Sequence, residues 1–160
     1  MPRTYEPIAS TTLGTSATSV TLSSIPGTFT DLILIPAATL GSFASFEIRV
    51  NGDTGSNYSY TYLFGNGTSA GSARADNMTL INTVIQGTPG PVIGQFHFMS
   101  YANTSVFKTI LMSGGAASHI ATRTVGLWRS TSAITSITIS SAATMASGST
   151  FSLFGIKASA

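Results

Sequence analysis

The chain has 160 residues, and only 8% of them are charged: seven basic and five acidic side chains give a formal net charge of +2. An ordinary soluble domain has about 25% charged residues. The basic residues are scattered, so the sequence contains no basic patch for binding nucleic-acid phosphates. There is no cysteine, which excludes disulfides and thiolate metal sites.

Hydroxyl groups replace charges as the polar component of this chain. Serine and threonine number 24 each, and the mean hydropathy is +0.32. A free monomer normally stays soluble by means of interspersed charges. The composition therefore predicts an assembled subunit, with much of its surface in contact with copies of itself or with a partner.

The first seven residues, MPRTYEP, carry two prolines and predict an extended N-terminal arm. Arg3 and Tyr5 are its candidates for contact with a neighbouring subunit, and a frayed end is the alternative. The arm holds no apolar signal core, and no run in the chain approaches the 18 residues of a membrane span. We therefore expect synthesis and assembly in the cytoplasm of a cell, without a membrane partner.

Short strands are predicted over residues 8–13 and 20–22. Residues 31–35 form a continuous apolar run that Pro36 ends, which is typical of a strand buried on both faces. Phe46, Ile48 and Val50 alternate with charged residues, and this period of two predicts an inward face.

Four aromatic residues share one face of the next predicted strand. They are Tyr58, Tyr60, Tyr62 and Phe64. Tyrosine combines a large apolar area with a polar tip. This face therefore fits the inner side of a sandwich, a subunit contact or a surface for stacking sugars, and the sequence leaves all three open. For a subunit contact, the predicted contact residues are Tyr58, Tyr60 and Tyr62.

Residues 65–76 are rich in glycine, serine and alanine and predict a flexible loop. Residues 93–99 and 106–112 predict a hairpin. The only tryptophan, Trp128, precedes Arg129, and both are further candidates for interface contacts. Ile137 and Ile139 then alternate with hydroxyl residues, and 151–157 predict a last strand, so the chain end is expected inside a sheet.

No segment longer than a turn or two shows the 3.6-residue period of a helix. About ten short strands with breaks every 8 to 12 residues predict an all-β protein, an antiparallel β-sandwich that resembles a jelly roll. Residues 8–160 are expected to form this single domain after the arm of residues 1–7. Neither a repeat nor a linker interrupts it.

The sequence offers only weak candidates for catalytic or metal-binding sites. Gly67–Gly71 (GTSAG) matches the G-x-S-x-G nucleophile motif, but no strand-to-helix pattern surrounds its serine. His97 and His119 lack enough further ligands for zinc. Residues 51–57 place oxygen atoms at alternate positions, faintly like a calcium loop, but a glycine-rich turn explains them better. We expect no catalytic residue, metal or cofactor.

Five segments spread over nearly the whole chain carry a resemblance to a known family. They are YEPIA (5–9), IPGTFTDLIL (25–34), NGDTGSNY (51–58), VGLWRST (125–131) and FSLFGIK (151–157). Together they resemble small virion structural proteins of tailed bacteriophages, including phages of cyanobacteria. The resemblance implies a β-sandwich or jelly-roll module that assembles into the particle, commonly as a trimer.

The resemblance implies two functions, and a single low-charge domain without a fibre-like repeat or coiled coil favours the first of them. The first is a capsid decoration, or cement, protein that binds across junctions between major capsid proteins and stabilises the head, without enzymatic activity. The second is a component of a tail fibre or spike, or an adhesin head that contacts host surface glycans. In either case the expected location is the virion, assembled in the cytoplasm of the bacterial host.

Overall fold

The computed structural model describes residues 5–87 and 89–157, and it shows an all-β protein. The predicted fold class is confirmed, with twelve strands where about ten were expected. The strands are β1 (Tyr5–Thr12), β2 (Ala17–Leu22), β3 (Asp31–Leu40), β4 (Ala44–Val50), β5 (Tyr58–Gly65), β6 (Ala70–Met78), β7 (Ile81–Gly87), β8 (Gly90–Met99), β9 (Lys108–Ala116), β10 (Ile120–Trp128), β11 (Ile137–Met145) and β12 (Thr150–Ile156). These two stretches contain no helix, and hence none that could span a membrane.

The strands form two antiparallel layers. Eight strands pair in the order β6-β5-β10-β9-β8-β3-β12-β1, which we call the large sheet. Four strands pair in the order β7-β4-β11-β2, which we call the small sheet. One pair, Met145 with Leu40, joins the layers where β11 meets β3. The result is a nearly closed, barrel-like sandwich.

The core lies between the layers and follows the predicted alternation. Phe46, Ile48 and Val50 of β4 are fully buried, as are Ile137 and Ile139 of β11. These side chains pack against inward residues of the large sheet, and one such contact is the edge-to-face pair of Phe46 and Phe96. The predicted hairpin of β8 and β9 is also present.

Strand β3 runs through Pro36, where the sequence predicted its end. Pro36 pairs with Phe151 of β12, while the β8 side shows a gap in the ladder between Leu34 and Ala37. Because proline lacks an N–H group, it fits where one neighbour makes no ladder bond. On the side of β3 that faces away from the small sheet, Ile33 is 3% exposed, but Asp31 and Ile35 are only partly buried. The predicted burial on both faces is therefore limited to Ile33.

The predicted flexible loop over residues 65–76 is wrong for most of its length, because β6 begins at Ala70. The connection from β5 is a tight turn in which the Asn66 side-chain oxygen accepts hydrogen bonds from the backbone of Thr68 and Ser69, over 3.0 and 2.7 Å. Strand β6 is an edge strand of largely exposed residues, including Arg74 and Asp76. Its order comes from pairing with β5 rather than from a buried face.

The predicted arm is a strand where the structure describes it. Tyr5 and Glu6 lie in β1 and pair with Ile156 and Gly155 of β12. Lys157 reinforces this pairing with an ion pair to Glu6, over 2.8 Å. The expected weaving of the chain end into a sheet is therefore observed. Residues 1–4, including Arg3, lie outside the described part.

Candidate assembly surfaces

The outward side of the large sheet, away from the small sheet, carries a row of apolar residues. The register aligns neighbours along this row in the order Val125, Leu111, His97, Ile33, Phe154 and Pro7. We call this side of the large sheet the apolar face. Its apolar members are Tyr5, Pro7, Ile33, Ile35, Leu63, Ile93, Met99, Leu111, Val125, Leu127, Phe154 and Ile156.

Five of these side chains are unusually exposed for their size. The exposed fractions are 59% for Leu63, 57% for Ile93, 53% for Tyr5, 47% for Val125 and 39% for Met99. Single exposed apolar residues are common, and polar residues such as Thr61, Ser113 and Gln95 lie between some of these five. Together with the apolar row they make a mixed surface of the kind found at protein contacts. The isolated subunit thus leaves an apolar surface uncovered.

At the centre of the apolar face, charge is neutralised within the subunit. His97 Nε2 lies 3.0 Å from Asp31 Oδ2, and the backbone N–H of Ser100 donates to the other carboxylate oxygen over 2.6 Å. Three further charged side chains lie on this side: Arg123 of β10, and Arg74 and Asp76 of β6 beside Thr61 and Val125. The described residues give none of them an ion pair. Only the part of the face away from β6 could therefore be covered at a small electrostatic cost.

The outward side of the small sheet differs in character. Thr21 and Thr138 share a hydrogen bond between their hydroxyls, over 2.9 Å. Ser140 donates to Glu47, and the Arg49 guanidinium donates to a backbone carbonyl. These groups are well placed to be hydrated, so this outer surface is the more polar of the two.

The predicted aromatic face divides into a buried part and a half-exposed part. Tyr60, Tyr62 and Phe64 form a ladder with neighbouring ring centroids 6.4 Å apart and ring planes inclined by 30° and 34°. We call these three residues the aromatic ladder. It lies beside the edge strand β6, where Phe64 covers Gly71. The phenol groups of Tyr60 and Tyr62 have no hydrogen-bond partner in residues 5–87 and 89–157.

Tyr58, at the other end of that face, is fully buried, which corrects its prediction as a contact residue. Its hydroxyl donates to the carbonyls of Val50 and Asp53 and accepts from the Val50 N–H, at 3.1–3.2 Å. Burial raises the pKa of Tyr58 to about 12. Through these hydrogen bonds Tyr58 attaches the turn after β4 to the large sheet.

Trp128 and Arg129 were also predicted as contact residues, and the structure uses both internally. Trp128 is 3% exposed, and its ring stacks against Tyr58 with centroids 6.5 Å apart. Arg129 donates to Ser59 Oγ over 3.0 Å and to the carbonyl of Ser56 over 2.8 Å. Both therefore hold the strand ends together and are poorly placed to reach a partner.

The remaining predicted contact residues fall into two groups. Tyr5 lies on the apolar face and Tyr60 and Tyr62 on the aromatic ladder, whereas Arg3 lies outside the described residues. Sequence reasoning missed Leu63, Ile93, Met99 and Val125. The outward positions of β5 and β8 mix these residues with polar ones, so local alternation gave no apolar stripe that could have identified them. Those positions are Ser59, Thr61 and Leu63 in β5, and Ile93, Gln95, His97 and Met99 in β8.

The residues considered for catalysis or metal binding all make structural contacts within the subunit. Ser69 lies in the β5–β6 turn and donates to Asn66, far from any strand-to-helix elbow. Asp53 in the turn of residues 51–57 accepts three hydrogen bonds from protein donors. His119 packs edge-on against Phe43. Residues 5–87 and 89–157 contain no cluster of three potential metal ligands.

A cleft of about 740 Å³ opens at one end of the apolar face, between the ends of β3, β8 and β9 and the β11–β12 turn. A smaller cleft of about 440 Å³ adjoins it, and the two share Ile93, Gly115, Ala117 and Ser118. The walls consist mainly of small and hydroxyl-bearing residues. Such clefts favour packing contacts over binding of a charged ligand.

Comparison with family models found no match, and comparison with curated proteins found none. Among solved structures, an exo-inulinase from Aspergillus awamori aligns with 95% of this chain at 14% identity and a TM-score of 0.42. The chain spans 29% of the length of that enzyme. An alginate lyase in complex with alginate tetrasaccharide aligns with 93% of this chain and 80% of its own at 9% identity, with a TM-score of 0.35.

A third similar structure is the CBM2 module of the evolved Dit protein of Lactobacillus casei BL23 phage J-1. It aligns over 88% of this chain and 70% of its own at 8% identity, with a TM-score of 0.23. These low scores assign the chain to no family.

Proposed function

We propose that this chain is a non-enzymatic structural protein of a tailed-phage virion. The role that fits best is a capsid decoration, or cement, protein that binds across junctions between major capsid proteins. The observation that carries the proposal is the exposed apolar face on a chain with only 8% charged residues. A surface of this kind suits a subunit whose working state is assembled.

The proposed mechanism is mechanical. A decoration subunit adds buried apolar area across seams of the shell, at about 25 cal/mol for each Å² removed from water. Much of that gain is offset by the cost of association, so one contact is weak. The symmetry of the shell repeats this contact many times, and the combined contacts hold the seams together. The sequence resemblance implies that the copies are also linked to one another as trimers.

Copy number in purified particles tests this role. We expect hundreds of copies per virion, located on the head, and loss of packaged DNA at lower temperature from particles that lack the protein. Quantitative mass spectrometry gives the number, and cryo-EM of the particle gives the position. A count of a few to a few dozen copies on the tail would overturn the decoration role.

A second candidate function is a tail-fibre component or an adhesin head that binds host surface glycans. The aromatic ladder favours it, because Tyr60 and Tyr62 present half-exposed rings together with hydroxyls that have no protein partner in the described residues. Aromatic rings suit the apolar faces of sugars, and phenol groups can bind sugar hydroxyls. Binding on a glycan array that is lost in Tyr62→Ala, but kept in Val125→Ala on the apolar face, would support this candidate.

A further inference from the structure

The two outer surfaces of the sandwich differ in polarity, and this difference indicates which of them a partner covers. We infer that the apolar face packs against the same face of further copies of this chain, while the outward side of the small sheet stays hydrated. The inference rests on the proposed role as an assembled subunit, and it names the self-contact surface within that role.

Area supports a second copy as the occupant. The large sheet has eight strands of 7 to 10 residues. With strands about 4.8 Å apart and a rise of about 3.3 Å per residue, its face covers on the order of 1,000 Å². A stable interface buries about 800 Å² on each partner. One subunit therefore offers enough area for a specific contact between copies.

The charge distribution agrees with this occupant. Asp31 and His97 satisfy each other inside the subunit, so covering them leaves no bare charge at the centre of the sheet. Arg123 lies beside Leu63, whose strand is next to the edge strand β6. The long arginine side chain can reach solvent at that margin while its methylene groups pack on apolar neighbours. Arg74 and Asp76 lie at the same margin, on the edge strand itself. Identical faces can then meet over the strands away from β6 without burying unpaired like charges.

Two arrangements of copies bury this face, and both satisfy the inference. Two sheets can stack face to face at a spacing of about 10 Å with two-fold symmetry. Alternatively, three sheets can form the walls of a prism around a three-fold axis, which agrees with the trimer implied by the sequence resemblance. The assembled mass distinguishes them, as two or three times the chain mass of 16.5 kDa.

A charge placed on each outer surface tests the assignment. Val125→Lys puts a cation at a 47% exposed position of the apolar face. Ala142→Lys puts the same charge at an exposed position of β11 on the small sheet. We expect sedimentation equilibrium to give an oligomer for the unmodified protein and for Ala142→Lys, and self-association at least tenfold weaker for Val125→Lys. Circular dichroism and Trp128 fluorescence establish that each variant is folded.

Two results of these sedimentation measurements would overturn the inference. Val125→Lys that assembles as tightly as Ala142→Lys overturns the inference, and so does an unmodified protein that is monomeric at micromolar concentration. If Val125→Lys does not fold, Leu63→Lys, at the 59% exposed position, replaces it in the same comparison. The role in the virion is judged separately by copy number in particles, which these measurements do not affect.

Discussion

The indole N–H of Trp128 donates to the carboxylate of Asp53 over 2.7 Å, which joins the end of β10 to the turn after β4. The same carboxylate accepts the side-chain amide of Asn57 over 2.9 Å and the backbone N–H of Gly55 over 2.8 Å. These hydrogen bonds, led by that of Trp128, lower the pKa of Asp53 below its usual 3.8. One acidic side chain thus organises the whole turn.

Asp53→Asn is expected to destabilise the fold by about 1–2 kcal/mol near neutral pH, because two side-chain donors lose a charged acceptor. A lowered pKa in the folded state means that this contribution is present above pH 3.8 and is lost as pH falls through the folded-state pKa. Urea unfolding followed by Trp128 fluorescence should therefore show a difference in the free energy of unfolding between the unmodified protein and Asp53→Asn. This gap should close as the pH is lowered. Asp76→Asn, at an exposed carboxylate without a hydrogen bond in the described residues, is the control. A gap that persists in strong acid would contradict the assignment.

Sequence reasoning could place Asp53 in a turn and Trp128 in a strand, but not their contact, because 75 residues separate them. Local periodicity carries no information on such a pairing. The pattern did establish that Tyr58 and Tyr60 share a face of β5. It could not show that other elements cover Tyr58 fully while the aromatic ladder stays half-exposed, because coverage depends on the width of the opposite sheet.

Tyr58→Phe is expected to remove part of the alkaline sensitivity of the fold. The pKa of Tyr58 is raised from 10 to about 12, so between these values the unfolded chain loses its proton first. Its neutral phenol thus stabilises the fold fully below pH 10, and about 3 kcal/mol is lost as pH rises to about 12. Urea unfolding at a series of alkaline pH values should give a shallower decline for the variant than for the unmodified protein. Parallel curves would refute this role.

Lys108 is the only fully buried charged side chain in the described part, and it closes the loop between β8 and β9. Its ammonium group donates to the carbonyls of Asn103, Val106 and Thr131 over 2.6, 2.7 and 3.1 Å. Burial lowers the pKa of Lys108. Periodicity predicted the hairpin itself, but not that a lysine would be its central support.

Lys108→Met keeps most of the side-chain volume and removes the three donated hydrogen bonds. We expect a loss of about 3 kcal/mol, since buried carbonyls without a partner are costly. Hydrogen exchange in residues 100–107 should also be faster in the variant than in the unmodified protein, because the loop loses the hydrogen bonds of the ammonium group. Exchange in β4 should change less and serves as the reference. Arg123→Met, at an exposed position of the neighbouring strand, is the matched control and should stay within about 0.5 kcal/mol of the unmodified protein. Equal stability of both variants would show that the loop holds without the lysine.

Gly155 of β12 is expected to tolerate no side chain, because Phe29 lies directly over it. A Cβ atom at this position would meet three ring carbons of Phe29 at 2.3–2.5 Å, whereas one at Gly65 of β5 would meet nothing within 4 Å. Gly155→Ala should therefore cost about 1–3 kcal/mol, since the ring must leave its site. Gly65→Ala should be neutral or slightly stabilising, because alanine reduces the entropy of the unfolded chain. Thermal unfolding of both glycine variants measures these costs. The cause is checked by comparing Gly155→Ala, Phe29→Leu and the double variant. A loss of stability in the double variant equal to the sum of the two single losses would exclude the clash as the origin.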